Sequence, residues 1–148
     1  MKVLFLLLFT ASLSLCAQET NYNVKNGCGV SGYDVVAYFN GSATKGKSDY
    51  EYTYDNVKYR FSNIKNLEKF KLSPKQYLPQ YGGWCAYAMS KKGKKVDMDP
   101  SKFEIRDGKL YLFYTSFFTD TYKKWLNEDP EKLKKTADKK WKKYKKTN

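Results

Sequence analysis

Hydrophobic and polar residues alternate over residues 50–61: Tyr50, Tyr52 and Tyr54 share one face, then Val57, Tyr59 and Phe61 share the next. Alternation on both sides of Asp55-Asn56 predicts a β-hairpin. A second hairpin is predicted over residues 103–114, turning at Asp107-Gly108, a pair suited to the tight type I′ turn. The period changes after the first hairpin. Ile64, Leu67 and Phe70 recur every three residues, which predicts an amphipathic helix capped by Ser62 and ended before Ser73-Pro74. Pro74 can begin a further helical turn, which Pro79 closes. Nearer the C-terminus, Phe118, Tyr122 and Trp125 or Leu126 form one helical stripe, interrupted near Asp129-Pro130. Leu133, Ala137, Trp141 and Tyr144 form a second. These elements predict an α+β domain: a small antiparallel sheet built from hairpins, flanking helices and a C-terminal amphipathic helix.

The N-terminal pattern is of another kind. Residues 3–9 are an unbroken apolar run behind Lys2, small residues follow, and Ala17-Gln18 is a cleavage point. Residues 1–17 therefore read as an export signal, which places the domain in the periplasm or outside the cell. The apolar run falls short of the ~20 residues that span a bilayer, so no transmembrane segment is expected in the mature chain. Cys16 offers a rival lipoprotein anchor, but Leu15 is a poor residue to precede that cut, and simple cleavage is favoured. Residues 18–31 are polar and read as a flexible leader. Residues 32–146 then make a single domain.

Charge changes the choice of partners. The chain has a formal net charge of +13, and residues 132–146 hold nine lysines against one acid. A basic balance fits nucleic acid, an anionic surface or an acidic protein, and export argues against nucleic acid. The lysine run is either the solvated side of a helix docked by its apolar stripe or a basic face that contacts an acidic envelope component.

The residue inventory narrows the chemistry further. There is no histidine. That removes the commonest general base, excludes Ser-His-Asp and Cys-His catalysis, and excludes His-based zinc or copper sites. No Gly-rich phosphate loop or paired acidic motif appears, so an ordinary hydrolase or nucleotide enzyme is disfavoured. The soft donors are Cys28, Cys85, Met89 and Met98, and thiolate and thioether sulfur select Cu(I) and related ions. Cys85 and Met89 are four apart, hence on one face of a helix. Asp97 and Asp99 bracket Met98 and could add oxygen. Each of these residues also has a plainer role, because a buried Cys packs as a small hydrophobe and a Met fills core gaps. Cys28 and Cys85 are the two thiols beyond the export signal, and an oxidising compartment invites a disulfide between them. Such a bond and a thiolate metal site at Cys85 exclude each other.

Gly82-Gly83 permits positive φ and close backbone approach. Tyr33, Tyr38, Tyr81, Trp84 and Tyr87 either pack the core or line a pocket beside it. Asp34 reads as a satisfied turn carboxylate. The series Gly32-Tyr33-Asp34-Val35-Val36-Ala37-Tyr38-Phe39, Tyr59-Arg60-Phe61, Pro79-Gln80-Tyr81-Gly82-Gly83-Trp84-Cys85-Ala86-Tyr87-Ala88 and Asp107-Gly108-Lys109-Leu110-Tyr111-Leu112 resembles the YHS-domain family, in its small exported bacterial branch. The resemblance implies a compact α+β domain and a connection with heavy-metal handling, copper included. Metal-type members carry cysteines in the opening motif and just after the second strand. Here those places hold Asp34-Val35-Val36 and Ser62-Asn63.

Three readings of function result. The first is an exported domain that binds or buffers a soft metal such as copper through Cys85, with Met89, without catalysis. The second is a metal-free interaction module whose basic C-terminal helix meets an acidic envelope component. The third is a redox or small-molecule enzyme using Cys85.

Overall fold

The computed structural model describes residues 21–147. The export segment, Cys16 and residues 18–20 of the expected leader lie outside the described residues. The rest of that leader is not loose. Strands β1 (Val24–Lys25) and β2 (Cys28–Gly29) pair antiparallel across Asn26-Gly27, which turn at φ of 52° and 73°. Asn-Gly tolerates positive φ at both turn positions, as a type I′ turn requires. Cys28 and Val30 are buried at the end of this small hairpin, so burial holds the segment in place.

The two expected hairpins are present. β3 (Lys47–Tyr54) pairs with β4 (Val57–Phe61), and β5 (Asp99–Arg106) pairs with β6 (Lys109–Phe113). Both share one plan, with a two-residue turn and an irregular register early in the longer strand, between Lys47 and Glu51 or between Asp99 and Phe103. Helix α1 (Ile64–Leu72) follows the first hairpin. Its cap is Asn63, whose side chain accepts from the Asn66 backbone N–H at 2.9 Å. Ser62, the expected cap, is turned toward Asp34 instead. Pro74 opens α2 (Pro74–Tyr77), and α3 (Ala86–Lys92) ends at Gly93.

A fourth, minimal hairpin joins β7 (Thr115–Ser116) to β8 (Thr119–Asp120). Phe117 and Phe118 form its turn, so Phe118 does not belong to a helical stripe. Helix α4 (Thr121–Asn127) begins only after Asp120, whose carboxylate accepts from the Lys123 N–H at 3.0 Å. Helix α5 (Pro130–Thr147) completes the α+β fold. Among the described residues no helix is long and apolar enough to cross a membrane.

Strand β6 divides the interior. Successive strand residues point to opposite faces, and here both faces are covered. Leu110 and Leu112 join a core with Val35, Tyr38, Tyr59, Phe61 and Phe70. Tyr111 and Phe113 join another with Tyr81, Met89, Trp125, Leu133 and Ala137. Phe70 of α1 is the hub of the first, meeting the rings of Tyr52, Tyr54, Tyr59 and Phe61 at centroid distances of 5.1–6.3 Å. The second core receives the apolar stripe of α5, which fixes the lysine-rich helix against α3 and α4.

Candidate functional site

Asp34 is fully buried and saturated with donors. Its Oδ1 accepts from the Val36 and Ala37 N–H groups at 2.9 and 3.1 Å. Its Oδ2 accepts from the Ser62 N–H, the Ser62 hydroxyl and Asn66 Nδ2 at 2.8, 2.7 and 2.7 Å. These bonds tie the turn after Tyr33 to the junction of β4 and α1. A carboxylate so engaged is structural, as its place in a turn motif predicts.

The Gly82-Gly83 segment is covered rather than open. Tyr81, Gly82 and Gly83 lie at φ of 55°, 63° and 86°, and a Cβ on Gly82 would stand 2.0 Å from the Asn21 carbonyl oxygen. The N-terminal segment crosses here. Asn23 donates its N–H to Gly82 O at 2.8 Å and its side-chain amide to Gly83 O at 3.3 Å. Trp84 Nε1 donates to Asn21 O at 3.2 Å. The structure therefore fills with its own backbone the place beside Gly82-Gly83 where a pocket was the alternative to core packing. It also separates the aromatic set: Tyr33 and Tyr38 pack in the first core, Tyr81 and Tyr87 in the second. The Tyr81 hydroxyl donates to Asp138 Oδ1 at 2.9 Å, and burial together with that carboxylate pushes its pKa well up, so it remains a donor.

The sulfur donors do not converge. Cys28 and Cys85 are both free and buried. Cys28 sits in the β1–β2 hairpin, whereas Cys85 precedes α3 with its Sγ 3.4 Å from Thr121 Oγ1 and accepting from the Tyr114 N–H at 3.3 Å. Of the two fates open to the thiols, the disulfide is not formed in the structure. Met89 follows Cys85 in the α3 ladder, its N–H donating to Cys85 O at 3.0 Å, but its side chain belongs to the second core and that of Met98 to the first. Asp97 is taken up by Asn23, Lys25 and the Met98 N–H, and Asp99 by Ser101. Among the described residues no three Cys, Asp or Glu side chains are grouped to hold a metal ion. A soft metal needs several converging soft donors; one buried, hydrogen-bonded thiol beside a core methionine does not fit it.

The accessible chemistry lies on another surface. A groove of about 420 Å³ runs between α3, α4 and β8, lined among others by Tyr87, Lys91, Lys92, Thr119, Thr121 and Lys124. A second, of about 310 Å³, is formed by Lys92, Gly93, Lys140, Lys143 and Tyr144. Lys92 lines both, so the lysines of three helices make one continuous face. Parts of that face are fixed by structure. Lys140 Nζ donates to the Ser90 and Lys91 carbonyls at 2.7 and 2.8 Å, capping the last turn of α3. Lys134 pairs with Asp107 and Glu131 at 2.5 and 2.8 Å, fastening α5 to the β5–β6 turn. Lys95 stands over the rings of Tyr144 and Trp84. Glu128 accepts from Lys91 and from the Tyr87 hydroxyl, and these bonds hold its carboxyl below the usual range. Burial and the bond to Glu128 push the Tyr87 hydroxyl up to about 12. Lys132, Lys135, Lys139, Lys142, Lys145 and Lys146 of α5 are exposed.

The lysine run was recognisable in the chain, but Lys92 and Lys124 were not, because only folding brings α3 and α4 beside α5. Comparison with models of known families, with curated proteins and with solved structures finds no match.

Proposed function

We propose that this chain is an exported, metal-free binding domain that holds an acidic component of the cell envelope on the lysine face of α3, α4 and α5. One observation carries the reading: Lys92 lines two adjoining grooves and joins Lys124 on one side to Lys140 and Lys143 on the other. Clustered charge of one sign raises the local concentration of oppositely charged partners. The YHS-like motif residues serve as scaffold in this reading, with Asp34 tying a turn and Gly82 admitting the N-terminal segment. Titration with inorganic polyphosphate at rising salt tests it. Binding weakens steeply with salt, since exposed charges are screened over about 10 Å at 0.1 M. Lys92→Glu with Lys124→Glu weakens it strongly, while Lys65→Glu on α1 leaves it unchanged. Salt-insensitive binding, or equal loss in the α1 variant, overturns the reading.

A further inference from the structure

Phe117 and Phe118 are 95% and 91% exposed. Among the described residues they are the only aromatic side chains on the open surface; the others are at least partly buried in or against the fold. Their rings meet edge to face at a centroid distance of 4.9 Å. They are carried on a two-residue turn whose flanks are fixed by the pairing of Ser116 with Thr119 and of Thr115 with Asp120. Thr121, directly beyond β8, anchors the base: its N–H and hydroxyl donate to Tyr114 O at 3.0 and 2.7 Å, and its hydroxyl oxygen accepts from the Tyr114 N–H at 2.9 Å. An exposed aromatic pair on an anchored turn is costly in water and contributes nothing to either core.

Its surroundings are cationic. Thr119 of the same hairpin lines the groove that holds Lys91, Lys92 and Lys124, and Lys123 is exposed on the adjoining turn of α4. The nearby acids are already neutralised, Asp120 by Lys102 at 2.9 Å and Glu128 by Lys91 at 2.8 Å. Among the described residues Lys92, Lys123 and Lys124 have no ion-pair partner.

We propose that the Phe117–Phe118 turn is a membrane-docking tip that inserts into an anionic lipid bilayer while the lysines behind it meet the headgroups. This deepens the reading above, on which it rests, by naming the acidic component as a lipid surface. Apolar side chains inserted at the headgroup–acyl boundary together with basic residues at the surface are the pairing that binds peripheral proteins to anionic membranes. A soluble polyanion can use the lysines but has nothing to cover two phenyl rings. Hence the charge favours either partner, and the rings favour lipid.

Sedimentation of the chain with vesicles of phosphatidylcholine, with and without phosphatidylglycerol, tests the proposal beside a titration with inorganic polyphosphate. Wild type sediments with phosphatidylglycerol vesicles and not with phosphatidylcholine alone. Phe117→Ser with Phe118→Ser lowers that partitioning about tenfold or more, since two large apolar side chains lose their burial. Phe117→Trp with Phe118→Trp retains it, and neither pair changes polyphosphate binding. The tip is too exposed for these changes to disturb the fold. Equal partitioning of the serine pair overturns the tip and leaves a purely electrostatic surface. Wild type that holds polyphosphate but ignores vesicles also overturns it, assigning the rings to a protein partner and leaving the basic-face reading intact. Failure to hold either ligand overturns both.

Discussion

Asp34 accepts both the backbone N–H and the hydroxyl of Ser62, at 2.8 and 2.7 Å, in a fully buried setting. One side chain thereby satisfies the start of the motif and the exit from β4. Asp34→Ala leaves the N–H groups of Val36 and Ser62 without an acceptor, whereas Ala37 keeps its bond to the Asp34 backbone carbonyl at 3.1 Å; each buried orphan costs about 1–3 kcal/mol. The substitution therefore lowers unfolding free energy by at least ~2 kcal/mol, measured by urea denaturation. Asp34→Asn keeps the shape and one acceptor oxygen and loses less.

Gly82 makes a sharper prediction about the N-terminal segment. Gly82→Ala puts a methyl carbon 2.0 Å from Asn21 O at a φ of 63°, so the segment must move away. Gly27→Ala is the matched comparison, with φ of 73° and nothing within 4 Å of the new Cβ. It bears only the backbone cost, about 1 kcal/mol. In hydrogen exchange the Asn23 amide, which donates to Gly82 O, loses protection in Gly82→Ala and retains it in Gly27→Ala.

The hairpins and α1 were legible because their signals are local. Asp55-Asn56 and Asp107-Gly108 each take positive φ at both positions, and Tyr59, Phe61, Leu67 and Phe70 point inward as their spacing predicts, whereas Ile64, the first residue of the α1 stripe, is exposed. The docked stripe of α5 was legible for the same reason. The β1–β2 hairpin escaped because its strands are too short to alternate, although Asn26-Gly27 was itself a turn signal. Phe118 was misplaced because its spacing to Tyr122 and Trp125 suits a helix, and spacing alone does not register the stop that Asp120 imposes as N-cap. The lysine face was half legible. Its α5 portion is a run in the chain, whereas Lys92 and Lys124 join it only through tertiary packing.

Asp120 links the aromatic tip to acid sensitivity. Its carboxyl is held below the usual range, first by the hydrogen bond from Lys102 and then by that from the Lys123 N–H. A carboxyl lower in the folded than in the unfolded state stabilises the fold above its unfolded value, about 3.9. That contribution is lost as the pH falls through the lower folded value. Thermal unfolding followed from pH 7 downward shows a fall below about pH 4 that is shallower in Asp120→Asn, which keeps the cap and loses the charge. Asp120→Ala loses the cap as well and is destabilised at every pH by about 1 kcal/mol.

The thiols supply the test that separates the basic-face reading from a copper site. Cys85 is fully enclosed, with Sγ engaged by the Tyr114 N–H and beside Thr121, and Cys28 is buried in a different hairpin. A reactive or metal-binding thiolate needs access and a supporting environment. Both thiols therefore resist a maleimide in the folded protein, and both react after unfolding without a reductant, as free thiols must. Isothermal titration with Cu(I) then gives the same affinity for wild type and Cys85→Ala. A loss of about tenfold or more in Cys85→Ala, or about 1.4 kcal/mol, with Cys28→Ala unaffected, would restore copper to first place. Equal affinities with steep, lysine-dependent polyanion binding leave the charged face of α3, α4 and α5 as the working surface.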